Sequence, residues 1–300
     1  MSRELQFVDQ LVAPLRVPPG STVELERDFD PGYTGGIASK SDASARLQEG
    51  IALLVDYQDR LSAQHAFGVL LALQGLDASG KDSTIKHVMS GVNPQGVKVK
   101  SFKEPSSEEL EHDFIWRHER AVPGRGRIGI HNRSHYEEVL IVRVHPELLA
   151  REGVPDARNA SSLWARRYRE INDWERYLVE NGIRVVKVLL NLSREEQAKR
   201  FLRRIERPDK NWKFSAADIR EREHWDDYQR AFDDMLSHTS TEWAPWYVVA
   251  ADHKWFSRLA TAAILVHTLA EIDPQYPRPG PEALEEMARA RAELQAEMNG

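Results

Sequence analysis

FGVLLALQGLDASGKDSTIKHVMS, residues 67–90, decides how the rest of the chain is read. Phe67 to Leu73 is unbroken by polar side chains and rich in Leu and Val, as a strand buried on both faces requires. The run stops at Gly75, and Gly75-Leu76-Asp77-Ala78-Ser79-Gly80-Lys81 has the phosphate-loop spacing G-x4-G-K. Ser83 to Ser90 reads as the first turns of a helix. Glycine lets successive backbone N–H groups face one anion, and the helix N-terminus adds partial positive charge. The candidate phosphate cradle is therefore Gly75, Ala78, Ser79 and Gly80, with Lys81, Asp82 and Ser83 at the helix start. Asp82 stands where Ser or Thr is expected, and Asp77 puts a second carboxylate in the loop. Carboxylates repel polyphosphate unless a metal ion intervenes, and Mg²⁺ takes one or two of them together with phosphate oxygens. Asp77 is the candidate metal ligand; Asp82 also suits a helix N-terminus simply as a negative charge.

Outward from this stretch, apolar residues recur at helical spacing from about Ser41 to Ala63 and predict a helix leading into the strand. Residues 1–40, with Pro18-Pro19-Gly20 and Pro31-Gly32, read as a loosely structured arm. Further strands are expected at Val97–Phe102, Arg127–His131, Arg184–Asn191 and Trp246–Ala250. Helices are expected over Ser106–Arg120, Tyr136–Leu149, Ser161–Asn181, Glu195–Ile205, Asp218–Leu236 and Trp255–Leu269. Alternating strands and helices imply an α/β fold around a mainly parallel five-stranded sheet. The main domain covers 41–277. A charged helical tail occupies 278–300.

In open parallel sheets ligands gather beyond the carboxyl ends of the strands, which brings His131-Asn132-Arg133-Ser134-His135-Tyr136-Glu137 toward the loop. Arg133 suits neutralisation of a transferring phosphoryl group; Asn132 and Glu137 suit orientation of metal or acceptor. A turn capped by Asn132 or Ser134 is the structural alternative. Zinc at His131 and His135 is disfavoured, because the pair spans a strand end and a loop. Residues 194–213 hold eight Lys/Arg against four Asp/Glu. Arg200, Arg203, Arg204, Arg207, Lys210 and Lys213 form either one wall of a channel or a solvated face with ion pairs such as Glu196 with Arg200. Lys103 and Arg117 are further candidate phosphate contacts. Trp212, Trp225, Trp243 and Trp246 read as core.

The whole chain is 300 residues with net charge −6, which argues against a dedicated nucleic-acid binder, although a local basic segment still focuses a polyanion. It has no cysteine, so disulfides, thiolate metal sites and cysteine nucleophiles are excluded. No stretch approaches the roughly 18–20 apolar residues of a membrane span, and the N-terminus lacks a secretion-signal core. A cytoplasmic setting with no membrane partner is the expectation.

GLDASGKD at 75–82, SGVNPQGVKVKSFKEPS at 90–106, HNRSHYEEVL at 131–140, RPDKNWKFS at 207–215 and STEWAPWYVVAADHKWF at 240–256 resemble the family-2 polyphosphate kinases. The likeness runs from about Gly32 to Pro277 in matching order. It implies a P-loop kinase-like three-layer fold, related to thymidylate kinase, with a helical lid at about 194–222. It also implies Mg²⁺-dependent (or Mn²⁺-dependent) phosphoryl transfer between inorganic polyphosphate and AMP, ADP or ATP, by a homo-oligomer, dimer or tetramer. By resemblance Lys81 is the loop lysine, Asp77 the metal ligand and Arg133 the arginine of the second motif. Asn132 stands where many members have aspartate. The Asn-Arg-Ser-His-Tyr-Glu form with Glu137 is similar to class III, whose members accept both AMP and ADP. An ATP-dependent nucleoside monophosphate kinase and a non-catalytic polyanion-binding protein are the alternative functions.

Overall fold

The computed structural model describes residues 3–154 and 160–299. Its centre is a five-stranded sheet: β1 (Gly68–Gln74), β2 (Val97–Ser101), β3 (Ile128–Asn132), β4 (Ile183–Asn191) and β5 (Trp246–Ala250). The order is β2-β3-β1-β4-β5 and every pairing is parallel, with Leu73 opposite Asn132 on one side and Val188 on the other. The loop-bearing strand is thus the middle one. All seven of its residues are buried, which explains the unbroken apolar run.

Side-chain alternation sends Val69, Leu71 and Leu73 to one face, where they pack with α1 (Arg3–Val12), α2 (Lys40–Gln64) and α7 (Lys254–Ile272). The opposite face carries α4 (Ala160–Glu180) and α6 (Trp225–Thr239), with Tyr136, Ile171, Leu189, Phe232 and Trp246 in one cluster. Two helical layers around a parallel sheet give the three-layer fold that the resemblance implies. Between them, α3 (Lys81–Val88) follows the glycine loop and α5 (Arg194–Glu206) follows β4. The tail helix α8 (Pro281–Asn299) buries no residue. Among the described residues no helix is long and apolar enough to cross a membrane.

Four expectations need correction. The first is the loose arm. Val8, Leu11, Val12 and Leu15 are buried against α2 and α7, and the chain then covers the β5 edge: Arg16 bridges Tyr247 and the Val17 N–H donates to the Trp246 carbonyl at 2.9 Å. An edge strand left bare is a template for aggregation, and this segment shields it. Second, the helix expected over Ser106–Arg120 is two short pieces, Ser107–Leu110 and Trp116–Glu119. Its Ser106/Glu109 capping box forms as read, but Asp113 Oδ1 accepts from the N–H groups of Ile115 and Trp116 and diverts the backbone. Third, Tyr136–Leu149 breaks into His135–Val139, Ile141–Val144 and Pro146–Arg151, since Pro146 holds His145 at φ −117°, ψ 83°, outside the helical region. Asp218–Leu236 is likewise split, with a short 3-10 turn at Glu221–His224 ahead of α6. Fourth, Trp212 is 77% exposed rather than core, whereas Trp225 and Trp246 are buried.

Candidate active site

The loop between β1 and α3 is held in shape from several directions. Gly75 has φ 147°, and a Cβ there would lie 2.8 Å from Ser79 Oγ and 2.9 Å from the Leu190 carbonyl, so no other residue fits. Ala78 adopts φ 65°, a left-handed conformation that a non-glycine residue takes only when its surroundings impose it. Those surroundings are visible in the carbonyls. Lys81 Nζ donates to the carbonyls of Gly75 at 2.5 Å and Leu76 at 3.2 Å. Gln197 Nε2 donates to that of Asp77 at 3.0 Å, and Arg200 Nη1 to those of Ala78 and Ser79, both at 2.9 Å. Five consecutive loop carbonyls therefore have side-chain donors. Burial, and after it the charge of Arg133, lowers the Lys81 pKa, with Asp77, Glu137 and Asp82 pulling the other way.

The second motif meets the loop as the strand-end rule predicts. Arg133, immediately beyond β3, has φ 61° and points its guanidinium between two carboxylates: Asp77 Oδ1 at 2.8 Å and Glu137 Oε2 at 3.6 Å. Burial opposes its charge, but Glu137 and Asp77 outweigh burial and raise its pKa. The strained turn is anchored from behind by fully buried groups. His135 Nε2 lies 3.1 Å from Glu175 Oε1, the Tyr136 hydroxyl donates to the same oxygen at 2.8 Å, and Lys187 Nζ donates to Glu175 Oε2 at 2.6 Å. Lys187, in the middle of β4, is a fully buried charge on a strand buried almost throughout, where the other charged residue, Arg184, is only half-buried. Its position in RVVKVLLN was a readable signal: a lysine inside an apolar strand needs a buried partner.

Arg133 borders three cavities. The largest of these, about 690 Å³, runs from the loop (Asp77, Gly80, Lys81) past Asn132 and Lys103 to Arg203, Arg204, Arg207 and Lys210. A second of about 290 Å³ contains Lys103, Arg117, Glu137 and Ile141, and a third of about 180 Å³ lies against Asp77 and Tyr228. The basic segment is thus a wall of the loop cavity as well as a face carrying the Glu196–Arg200 pair; the side chain of Lys213 lies outside the described residues. Lys254, at the start of α7, also lines the wall and escaped the sequence reading. Its place just beyond the carboxyl end of β5 could have revealed it. Burial, with Arg200 and Arg203 nearby, brings its pKa down to about 8.

Several candidates take other positions than expected. Arg117 is buried, donating to the Lys103 carbonyl at 2.9 Å and pairing with Glu138 at 3.2 Å, and it borders the second cavity rather than the loop cavity. Asn132 turns its amide to Asp82 Oδ1 at 2.7 Å, so it braces the loop carboxylate. Ser83 Oγ accepts from Arg258 at 2.8 Å. Arg200 turns back onto the loop. As for metal, no cluster of three or more His, Asp or Glu side chains is arranged to hold one among the described residues. Asp77, 35% exposed at the cavity mouth, fits a divalent ion whose remaining ligands are phosphate oxygens. His131 and His135 are buried in separate contacts, with Ala121 and Glu175.

His131 yields a pH prediction. Burial pushes its pKa from the ordinary 6.5 down to about 4, with His135 and Lys98 adding to the effect against the Ala121 bond. The unfolded chain therefore binds a proton that the folded chain refuses between those values, so stability is lost as pH falls from 6.5 toward 4. His131 alone accounts for roughly 3 kcal/mol of that loss. Urea melts across this window should show a shallower pH slope for His131→Gln than for the wild type; equal slopes would refute it.

A parallel sheet with a glycine loop at its middle strand, a strand-end arginine facing that loop and a basic wall beyond defines a P-loop phosphotransferase. More narrowly, the chain belongs to the polyphosphate kinase 2 family, whose family model matches residues 37–277. It is 48% identical over 283 residues to the ADP-polyphosphate phosphotransferase of Rhodopseudomonas palustris, covering 93% of this chain and 96% of that one. Identity to the AMP/ADP-polyphosphate phosphotransferase of Meiothermus ruber is 41% over 268 residues, covering 88% and 95%. The crystal structure of polyphosphate kinase 2 from Arthrobacter aurescens superposes with a TM-score of 0.83 at 38% identity, covering 93% and 95%.

Proposed function

We propose that this chain transfers phosphoryl groups from inorganic polyphosphate to both AMP and ADP, with Mg²⁺ (or Mn²⁺) as the metal. The observation that carries the reading is the junction at Arg133. A cavity walled by Lys81, Arg203, Arg204, Arg207, Lys210 and Lys254 suits a long polyanion, and it adjoins a second cavity of mixed apolar and charged lining. The polymer lies along the basic wall, and the acceptor enters on the Lys103 and Arg117 side.

The chemistry asked of the protein is positioning and charge stabilisation, because phosphoryl transfer needs little covalent help. Lys81 and Arg133 offset charge on the transferring group from two sides. Asp77 would hold the metal, which would supply further positive charge to the transferring phosphoryl group. Glu137 orients Arg133, and Asn132 keeps Asp82 turned aside through its 2.7 Å bond. The AMP/ADP naming of the Meiothermus ruber relative supports dual acceptor use, as does the Asn-Arg-Ser-His-Tyr-Glu turn at 132–137. Comparing AMP with ADP at one fixed polyphosphate concentration, without ATP, is the test. ADP is expected to form from AMP and ATP from ADP; strong ADP use with negligible AMP use would overturn the dual assignment.

A further inference from the structure

A guanidinium carries five N–H donors, and in Arg200 all five are committed. Nε donates to Glu196 Oε1 at 2.9 Å. Nη1 donates to the carbonyls of Ala78 and Ser79, each at 2.9 Å. Nη2 donates to those of Ala251 at 2.5 Å and Asp252 at 3.1 Å, just beyond β5. The residue borders the loop cavity but is only 4% exposed, in contrast to Arg203 and Arg207, whose side chains are 52% and 60% exposed on the same basic segment. One turn earlier on α5, Gln197 is equally buried; it holds the Asp77 carbonyl and is itself fixed by Arg222 Nη1 at 2.7 Å from its Oε1.

We propose that Arg200, with Gln197, is a positioning residue that sets the direction of the phosphate-loop amides, and that it does not contact the polymer. The reason lies in peptide geometry. In a planar trans peptide the carbonyl of one residue and the N–H of the next point in opposite directions. Holding the carbonyls of Asp77, Ala78 and Ser79 toward α5 fixes the orientation of the three peptide planes that follow those residues. It also withdraws three partial negative charges from the anion that the loop serves. The left-handed φ of 65° at Ala78 is the local distortion that this clamp supports. The same guanidinium ties the loop to the end of β5 and the root of α5, so the lid helix and the loop share one rigid joint. Lysine cannot replace it, since an ammonium has three donors and no planar fork to span two loop carbonyls and two strand-end carbonyls together.

The test rests on the polyphosphate reading above only for its assay, and wild-type turnover under the same conditions controls for that reading. Steady-state kcat and KM for polyphosphate are measured over a range of salt concentrations for Arg200→Lys, Gln197→Leu and Arg203→Ala. Melting temperatures are taken alongside. Arg200→Lys is expected to lower kcat by about 100-fold, the scale of an ångström-level misplacement, while KM and its salt dependence stay near wild type. Gln197→Leu, which removes one of the three carbonyl bonds, lowers kcat by about tenfold with the same unchanged KM. Arg203→Ala does the reverse, raising KM and flattening its salt dependence. A raised KM with kcat preserved in Arg200→Lys would overturn the proposal in favour of a polymer contact. A lowered melting temperature with unchanged kcat below the melt would also overturn it, leaving only a fold-stabilising role. If Arg200→Lys does not fold, Gln197→Leu decides: a folded variant with wild-type kcat sinks the clamp.

Discussion

Lys81→Ala is expected to lower kcat by about 10³-fold, equivalent to about 4 kcal/mol of transition-state stabilisation. Two losses combine. The ammonium leaves the mouth of the loop, where charge on the transferring phosphoryl group must be offset in a partly desolvated cavity. In addition, the carbonyls of Gly75 and Leu76 lose the donor that turns them aside. Lys81→Arg keeps the charge, but its longer planar head does not fit the 2.5 Å and 3.2 Å bonds that Nζ makes. It should recover only a small part of the loss. The fold should survive either change, because Lys81 opens α3 and contributes nothing to the apolar cores on the two faces of the sheet. Steady-state kinetics with ADP and polyphosphate, with thermal melts in parallel, check the prediction. A kcat for Lys81→Ala within tenfold of wild type would remove the lysine from the transfer step.

What the sequence disclosed follows from how local the cause of each feature is. The β1–loop–α3 unit was readable to within two residues, since an unbroken apolar run, a glycine spacing and a helix start each carry their own short-range signal. The approach of Arg133 to the loop was also readable, because parallel topology alone brings the ends of β1 and β3 together. The arm was misread because Pro18-Pro19-Gly20 drew attention from the stripe of Val8, Leu11, Val12 and Leu15, which gains meaning only against α2 and α7. The break at Asp113 depends on one side chain competing with the helix for its backbone N–H groups, a choice periodicity does not register.

Within the site, the limits are of another kind. Basic residues on α5 look alike in sequence and both Arg200 and Arg203 line the cavity, yet Arg203 is half-exposed while the buried Arg200 is spent on backbone carbonyls from the loop and β5. That division is set by helix phase and by partners 50 or more residues away. Asn132 reads in sequence as a residue that orients metal or acceptor. In the fold its Nδ2 donates to Asp82, where a carboxylate at that position would repel it. The network of Lys187, Glu175, His135 and Tyr136 was missed because its members come from β4, α4 and the turn after β3 and converge only in the folded interior.

The central claim is that the basic wall exists for a polymer donor. A triphosphate has three phosphates to set against Lys81 and Arg133, whereas a long polymer has charge left for Arg207 and Lys210, which line the same cavity. Binding energy from those remote contacts is available for transition-state stabilisation only with the longer donor. Polyphosphate should therefore outpace ATP as donor by about 100-fold in kcat/KM. The direct measurement supplies wild-type protein and Mg²⁺ with polyphosphate labelled along its chain and unlabelled ADP, then compares a parallel reaction of ATP with AMP and no polymer. The account predicts label in the terminal phosphate of newly formed ATP and only slow transfer from ATP to AMP. Unlabelled product, or equal transfer from ATP without polymer, would contradict it.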